Sequence, residues 1–152
     1  MPRFRDNPPP EAISNGVYAA KVLTAKTGIS ARGNEYLTMR LELCPSKERI
    51  SSTLTFVAGA DTVISCFCSS IGLLRPARGA EYDLTPTDVI GRHLYIIISS
   101  EPDPDTGDLV AHVVRFVTRD DAIRRNPAIS EIQLQPQEPL RLKPVTDERG
   151  IL

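Results

Sequence analysis

The stretch that decides the fold is EYLTMRLELC, residues 35–44, in which apolar residues at 37, 39, 41 and 43 alternate with Tyr36, Thr38, Arg40 and Glu42. Leu37, Met39, Leu41 and Leu43 fall on one side of an extended chain, and the residues between them fall on the other. A period of two is typical of a half-buried antiparallel strand. The stretch therefore predicts a β-strand with one apolar face and one polar face.

Two further segments flank this strand and share its character. Residues 16–24 (GVYAAKVLT) read as a strand with Lys21 on its less apolar side, and residues 50–56 (ISSTLTF) repeat the alternation. Residues 28–34 contain two glycines and an Asn, which favour a hairpin connection. We expect the three strands to form an antiparallel meander.

The period then changes from that of a strand to that of a helix. Apolar residues between Val63 and Ile71 recur at helical spacing, with Asp61 placed to cap the first turn and Gly72 to end the last one. A single helical turn is predicted at residues 85–91, where a Pro stands near the start. The middle of the chain is therefore expected to hold one helix of about three turns.

Two more strands are predicted after this helix. Residues 93–99 (HLYIIIS) and 109–118 (LVAHVVRFVT) are rich in β-branched side chains, which favour strands. The acidic segment 101–108 joins them as a hairpin turn of Asp, Pro and Gly.

The resulting order is three strands, a helix and two strands. This order predicts an all-β domain, a five-stranded OB-type Greek-key barrel with one helix between strands 3 and 4 and with flexible termini. Residues 13–119 would form the OB-fold domain, preceded by an extended Pro-rich arm at 1–12. Residues 120–152 are interpreted as a Pro-containing C-terminal tail with a short strand at 132–134.

Composition sets the class of protein. A chain of 152 residues with 41% hydrophobic residues is expected to form one domain. We expect no transmembrane span, because no apolar run approaches about 20 residues, and no secretory signal peptide. Three cysteines cannot form a fully paired disulfide framework and suit a cytoplasmic location. The net charge is −1, yet residues 13–57 hold six basic against three acidic residues, and residues 81–108 hold seven acidic residues against one Arg.

Several short motifs resemble those of phage- and prophage-encoded OB-fold proteins, many of them described only as a domain of unknown function. The motifs are GVYAAKV at residues 16–22, SARGNEYLTMRL at 30–41, the end of the helix at 67–73 and VIGRHL at 89–94. The resemblance spans about residues 13–118. It implies a single-stranded DNA-binding protein that acts in phage DNA replication or recombination.

Single-strand binding requires cations that follow the phosphates and flat side chains on which bases stack. If the leucines of residues 35–44 face the core, the polar residues between them face outward, where Lys21 of the first strand can join them. We therefore predict a nucleic-acid-binding surface without strong sequence preference. Its candidate residues are Lys21, Lys26, Arg32, Tyr36, Thr38, Arg40 and Arg49.

A second hypothesis is a non-catalytic protein-binding OB module in a phage replication or recombination assembly. The chain has no Trp, and the acidic segment 101–108 lies where many nucleic-acid-binding OB-folds carry basic or aromatic residues. Residues 129–135 could add a strand to the sheet edge of a neighbouring subunit, or recruit replication or recombination proteins. We expect a homo-oligomer on either hypothesis.

Catalytic and metal-binding signatures are weak. The sequence has no Walker loop, no nucleophile elbow and no zincin motif, so we predict neither catalysis nor a cofactor. Cys66 and Cys68 point about 200° apart on a helix, which disfavours a shared metal ion. His93 and His112 lack a third ligand at a suitable spacing, and residues 103–108 resemble a hairpin turn more than a calcium loop.

Overall fold

In the residues that the structure describes, the protein is a mostly-β domain built on one five-stranded antiparallel sheet with three short α-helices. A computed structural model describes residues 13–57, 59, 61–73, 84–134 and 136–142. The strands are β1 (Gly16–Ile29), β2 (Glu35–Cys44), β3 (Arg49–Phe56), β4 (His93–Pro102) and β5 (Leu109–Val117). The helices are α1 (Asp61–Ser70) and α2 (Pro86–Val89), which lie between β3 and β4, and α3 (Arg119–Arg125), which follows β5.

The order of strands across the sheet is β3-β2-β1-β4-β5. Every pair of neighbouring strands is antiparallel. β1 is the central strand of this order and pairs with both β2 and β4. The two edge strands, β3 and β5, contact each other, which shows that the sheet is strongly curved. The order of elements predicted from the sequence is confirmed.

The core lies on the concave side of this sheet. Leu37, Met39, Leu41 and Leu43 are fully buried, as the alternation along β2 predicts. Helix α1 contributes Phe67, whose ring meets that of Phe116 on β5 edge-on, with ring centroids 5.2 Å apart. Burying an aromatic pair in this geometry stabilises the packing of the helix beyond the area removed from water.

Helix α1 ends at the glycine that the sequence singles out. Gly72 adopts a φ of +82°, a conformation that favours glycine, and its N–H donates to the carbonyl of Ser69. The N–H of Leu73 donates to the carbonyl of Cys68 over 2.8 Å, which completes a Schellman motif. No helix in the described part of the chain is long and apolar enough to cross a membrane.

Strand β1 contains a β-bulge that the sequence analysis missed. Val22 pairs with Leu41 and Thr24 pairs with Arg40, so Leu23 is the extra residue on β1. A one-residue insertion reverses which side chains face outward beyond it. Lys21 faces outward before the bulge, and the even-numbered Thr24 and Lys26 face outward after it.

The interpretation of residues 120–152 as a tail is wrong for the part that the structure describes. Residues 119–125 form α3, and a 3-10 helix follows at Pro127–Glu131. Thr118 caps α3 by accepting a hydrogen bond from the N–H of Asp121. The predicted strand at 132–134 is irregular instead. The predicted arm at 1–12 and residues 143–152 lie outside the described residues.

Candidate functional site

The outer side of β1, β2 and β3 forms a polar surface, which we call the open face. Residues directly opposite each other on paired strands share a face, so the pairing defines four rows. None of the members of these rows is buried. The rows are Lys21–Glu42–Arg49, Thr24–Arg40–Ser51, Lys26–Thr38–Thr53 and Gly28–Tyr36–Thr55.

Six of the seven candidate residues lie together on this face. Lys21, Lys26, Tyr36, Thr38, Arg40 and Arg49 belong to its rows. Arg32 lies in the turn between β1 and β2, beyond the last row. That turn is closed by hydrogen bonds between the backbones of Ser30 and Asn34 and of Gly33 and Ser30. Arg32 is exposed there and belongs to the rim of the surface.

The cations of the open face follow a diagonal, with one on each strand. Lys26 of β1 pairs with Thr38, two residues from Arg40 of β2, and Arg40 pairs with Ser51, two residues from Arg49 of β3. Diagonal neighbours of this kind lie about 7–8 Å apart. The sheet therefore presents a line of three positive charges across its strands.

One carboxylate interrupts the positive charge of this face. Glu42 lies between Lys21 and Arg49 in the first row, and its Oε2 is 3.9 Å from Nε of Arg49. An exposed pair at this separation contributes little to stability, so Arg49 remains available to an anionic ligand.

The hydroxyl end of the Tyr36 ring lies over Gly28 of the neighbouring strand β1. A Cβ atom on Gly28 would lie 2.5 Å from Cζ of Tyr36, so the ring occupies the space that a side chain at position 28 would fill. Tyr36 is only partly buried, which leaves part of the ring accessible. The absent side chain of Gly28 thus positions an aromatic surface at the end of the open face.

Sequence reasoning missed the hydroxyl groups that lie between the cations. Thr24, Ser51 and Thr53 are exposed on the open face, and the hydroxyls of Thr38 and Thr53 lie 3.1 Å apart. Hydroxyls donate to phosphate oxygens, as they do in many protein–nucleic acid contacts. The alternation in β3 contains this signal, but assigning it to this face requires the pairing of β3 with β2.

Part of the outer side of the other half of the sheet is apolar and buried, and we call this part the covered face. It is formed by Val17 and Ala19 of β1, Tyr95 of β4 and Val117 of β5, with Cys44 at its border. Side chains of α3 and the segment after it pack on this face. They are Ala122, Ile123, Ile129, Ile132 and Leu134.

Hydrogen bonds attach residues 119–134 and 136–137, which we call the covering segment, to the sheet. Nδ2 of Asn126 donates to the carbonyl of Val17 over 3.1 Å. The carboxamide of Gln137 accepts from the N–H of His93 and donates to its carbonyl, at 2.8 and 3.0 Å. Ile129 is 3% exposed, so it is not available to a neighbouring subunit's sheet edge as the sequence suggested.

The acidic segment is a hairpin turn, as predicted. The N–H of Asp103 donates to the carbonyl of Asp108, and Oδ1 of Asp103 accepts from the N–H of Asp105. The acidic turn follows the end of β4, which pairs with the start of β1. The turn that holds Arg32 follows the end of β1, so the two turns lie at opposite ends of β1. Among the described residues, no three His, Cys, Asp or Glu side chains are grouped to hold a metal ion.

A scan against models of protein families and a search of curated proteins found no match to this chain.

Proposed function

We propose that the protein is a single-stranded DNA-binding protein whose open face holds the strand. The observation that carries this proposal is the diagonal of Lys26, Arg40 and Arg49 on a part of the outer sheet surface that α3 and its following segment leave uncovered. A line of cations can neutralise successive phosphates of a flexible single strand that lies along it.

The proposal includes the OB-type barrel. The sheet order β3-β2-β1-β4-β5, with β3 in contact with β5, is the order in which such a barrel closes. Helix α1 contacts β3, β4 and β5 and covers the end of the core. OB-folds bind oligonucleotides on the face around strands 2 and 3, which corresponds here to the open face. The resemblance of residues 13–118 to phage OB-fold proteins supports the same assignment.

The chemistry of the open face favours binding over sequence readout. Its side chains are cations, hydroxyls and one aromatic ring, which contact phosphates, sugars and the faces of bases. We therefore propose binding without strong sequence preference and without catalysis or a cofactor.

The experiment that tests this function is a salt titration of binding to fluorescently labelled oligo-dT, measured by anisotropy. Three or four phosphate contacts predict that log K falls against log[salt] with a slope of about −2 to −3. A protein that fails to bind oligo-dT at low salt does not have this function.

The second candidate function, a protein-binding module, is favoured by a different surface. Val63 of α1 and Val114 of β5 are 52% and 51% exposed and line a groove of about 540 Å³ beside Arg115 and Arg124. Exposed apolar side chains beside charges are typical of protein interfaces. Replacing Val63 and Val114 by Ser should leave oligo-dT binding unchanged if the first proposal holds.

A further inference from the structure

A groove of about 1000 Å³ separates the open face from the covering segment. Its floor is formed by β1, β2 and the first residue of β4, and its wall is formed by residues of the segment between Asn126 and Gln137. Apolar side chains line much of it, among them Cys44, Pro45, Ala128, Ile132 and Leu134. Its volume reaches the upper end of the range of small-molecule sites, about 300–1000 Å³.

The groove is continuous with the open face through one row of side chains. His93 pairs with Lys21, Lys21 with Glu42 and Glu42 with Arg49, so these four residues lie side by side across four strands. Lys21 and Glu42 belong to the first row of the open face and also line the groove. The diagonal of cations ends at Arg49, in the same row as Glu42 and Lys21, which line the groove.

We propose that the groove binds a nucleotide of the same single strand, with the base between the apolar walls and its phosphate near Lys21 and Lys47. This inference rests on the proposed function of the open face. It extends the binding surface beyond the three meander strands, onto β4 and the segment after α3.

The floor of the groove disfavours an extended peptide as the ligand. From Ala19 to Lys21, β1 is hydrogen-bonded to β2 on one side and to β4 on the other. Val17 and Tyr18 pair with β4 alone, but the carbonyl of Val17 already accepts from Asn126, so the edge left for an added peptide strand is very short. Recognition there must use side chains. A planar base requires only apolar surfaces on its faces and a few polar groups at its edge.

Suitable polar groups line the groove. Burial, followed by the charges of Lys21 and Arg92, lowers the pKa of His93 below its ordinary value of 6.5, so the imidazole is neutral at neutral pH. A neutral imidazole presents one donor and one acceptor. The carboxamide of Gln133 also lines the groove and offers both kinds of group to the edge of a base.

The test is to fill the groove without altering the open face. Ala128 is exposed on the 3-10 helix and lines the groove, so Ala128→Trp places a ring inside it. Ser130→Trp is the matched control, because Ser130 is exposed on the same helix and does not line the groove. Affinity is measured for oligo-dT of increasing length, over the range of about 4–16 nucleotides that one OB-fold covers.

We expect Ala128→Trp to bind the longest oligo-dT at least fivefold more weakly than the wild type and the shortest equally well, whereas Ser130→Trp should match the wild type at every length. Lys47→Asn is a second variant, since Lys47 has a φ of +65° that Asn tolerates. It should reduce the salt slope by about 0.7 for long strands alone.

The outcomes separate this inference from the proposed function. If folded Ala128→Trp and Lys47→Asn both equal the wild type at all lengths, the groove does not bind the strand, while the open face still does. If the wild type binds no oligo-dT at low salt, both proposals fail. If Ala128→Trp loses affinity for strands of every length by the same factor, the groove is not a separate subsite and the inference is overturned.

Discussion

Outward-facing side chains are buried and apolar on the covered face of the sheet and exposed and polar on the open face. On the covered face, Ala19 and Tyr95 pack beneath Ala122 and Ile129, and none of the four is more than 7% exposed. On the open face, the outward positions of the same sheet carry Lys, Arg, Ser and Thr. β1 belongs to both halves, and the change occurs within it, between Ala19 and Lys21. Burial of the outer surface is thus decided by whether a later segment of the chain covers it.

The largest expected effect tests this difference on one strand. Ala19→Arg places a charge and a long side chain under the covering segment, where Ala19 has no exposed surface. Thr24→Arg makes a similar change on the exposed part of β1. We expect the first variant to lower the free energy of unfolding by about 3–5 kcal/mol and the second by no more than about 0.5 kcal/mol. Urea denaturation measures both, and equal losses would contradict the distinction between the two faces.

The next effect concerns the aromatic ring of the open face. Tyr36→Leu should weaken oligo-dT binding by about 1–3 kcal/mol if a base stacks on the ring, with little change in salt slope. Tyr36→Phe is the control, because it keeps the ring that lies on Gly28 and should retain the affinity. Thermal melts establish that both variants are folded. Equal binding by all three proteins would show that no base stacks at this position.

A smaller effect is expected from a single cation. Arg40→Ala should weaken binding to all strands alike and reduce the salt slope by about 0.7, the value for one phosphate contact on a single strand. Arg115→Ala is the matched control, since Arg115 is exposed on β5 and pairs with Ile97 of the covered half. If the salt slope changes in Arg115→Ala, or does not change in Arg40→Ala, the phosphates of the strand do not bind along the open face.

The smallest effect is a pH dependence of stability at the border between the two faces. The pKa of His93 is lowered in the folded protein by burial and by Lys21 and Arg92, so the unfolded chain binds its proton at higher pH. The contribution of His93 to the free energy of unfolding is fully present above about pH 6.5, the pKa of the unfolded chain. It is lost as the pH falls towards the lower pKa that His93 has in the folded protein. Urea denaturation at several pH values should therefore show a smaller loss on acidification for His93→Gln than for the wild type.

Much of the fold could be predicted because each strand and helix has a local signal. The alternation of residues 35–44 determines which side of β2 is buried, and Gly72 marks the end of α1. The bulge at Leu23 could not be predicted, because it depends on how β1 pairs with β2. Because β1 extends to Ile29, beyond the predicted end at residue 24, Lys26 lies on the strand, and the bulge turns it to the open face.

The covering segment was missed for a different reason. Its local signals were present, with Thr118 placed as an N-cap, acidic residues in the first turn of α3 and Arg124 and Arg125 in the last. Both arginines bond to Asp121. Ile129, Ile132 and Leu134 follow no single period, because they pack from a 3-10 helix and an irregular segment. The prolines among them were therefore interpreted as signs of a tail.

The most direct test of the account is a map of amide chemical shifts of the protein with and without oligo-dT. We predict that the perturbed residues cluster on the open face, at Thr24, Lys26, Thr38, Arg40 and Ser51, and that Ala122 and Ile123 of α3 stay unchanged. Perturbations centred on α1 and β5, around Val63 and Val114, or none at low salt, would contradict the claim that the uncovered half of the sheet holds the strand.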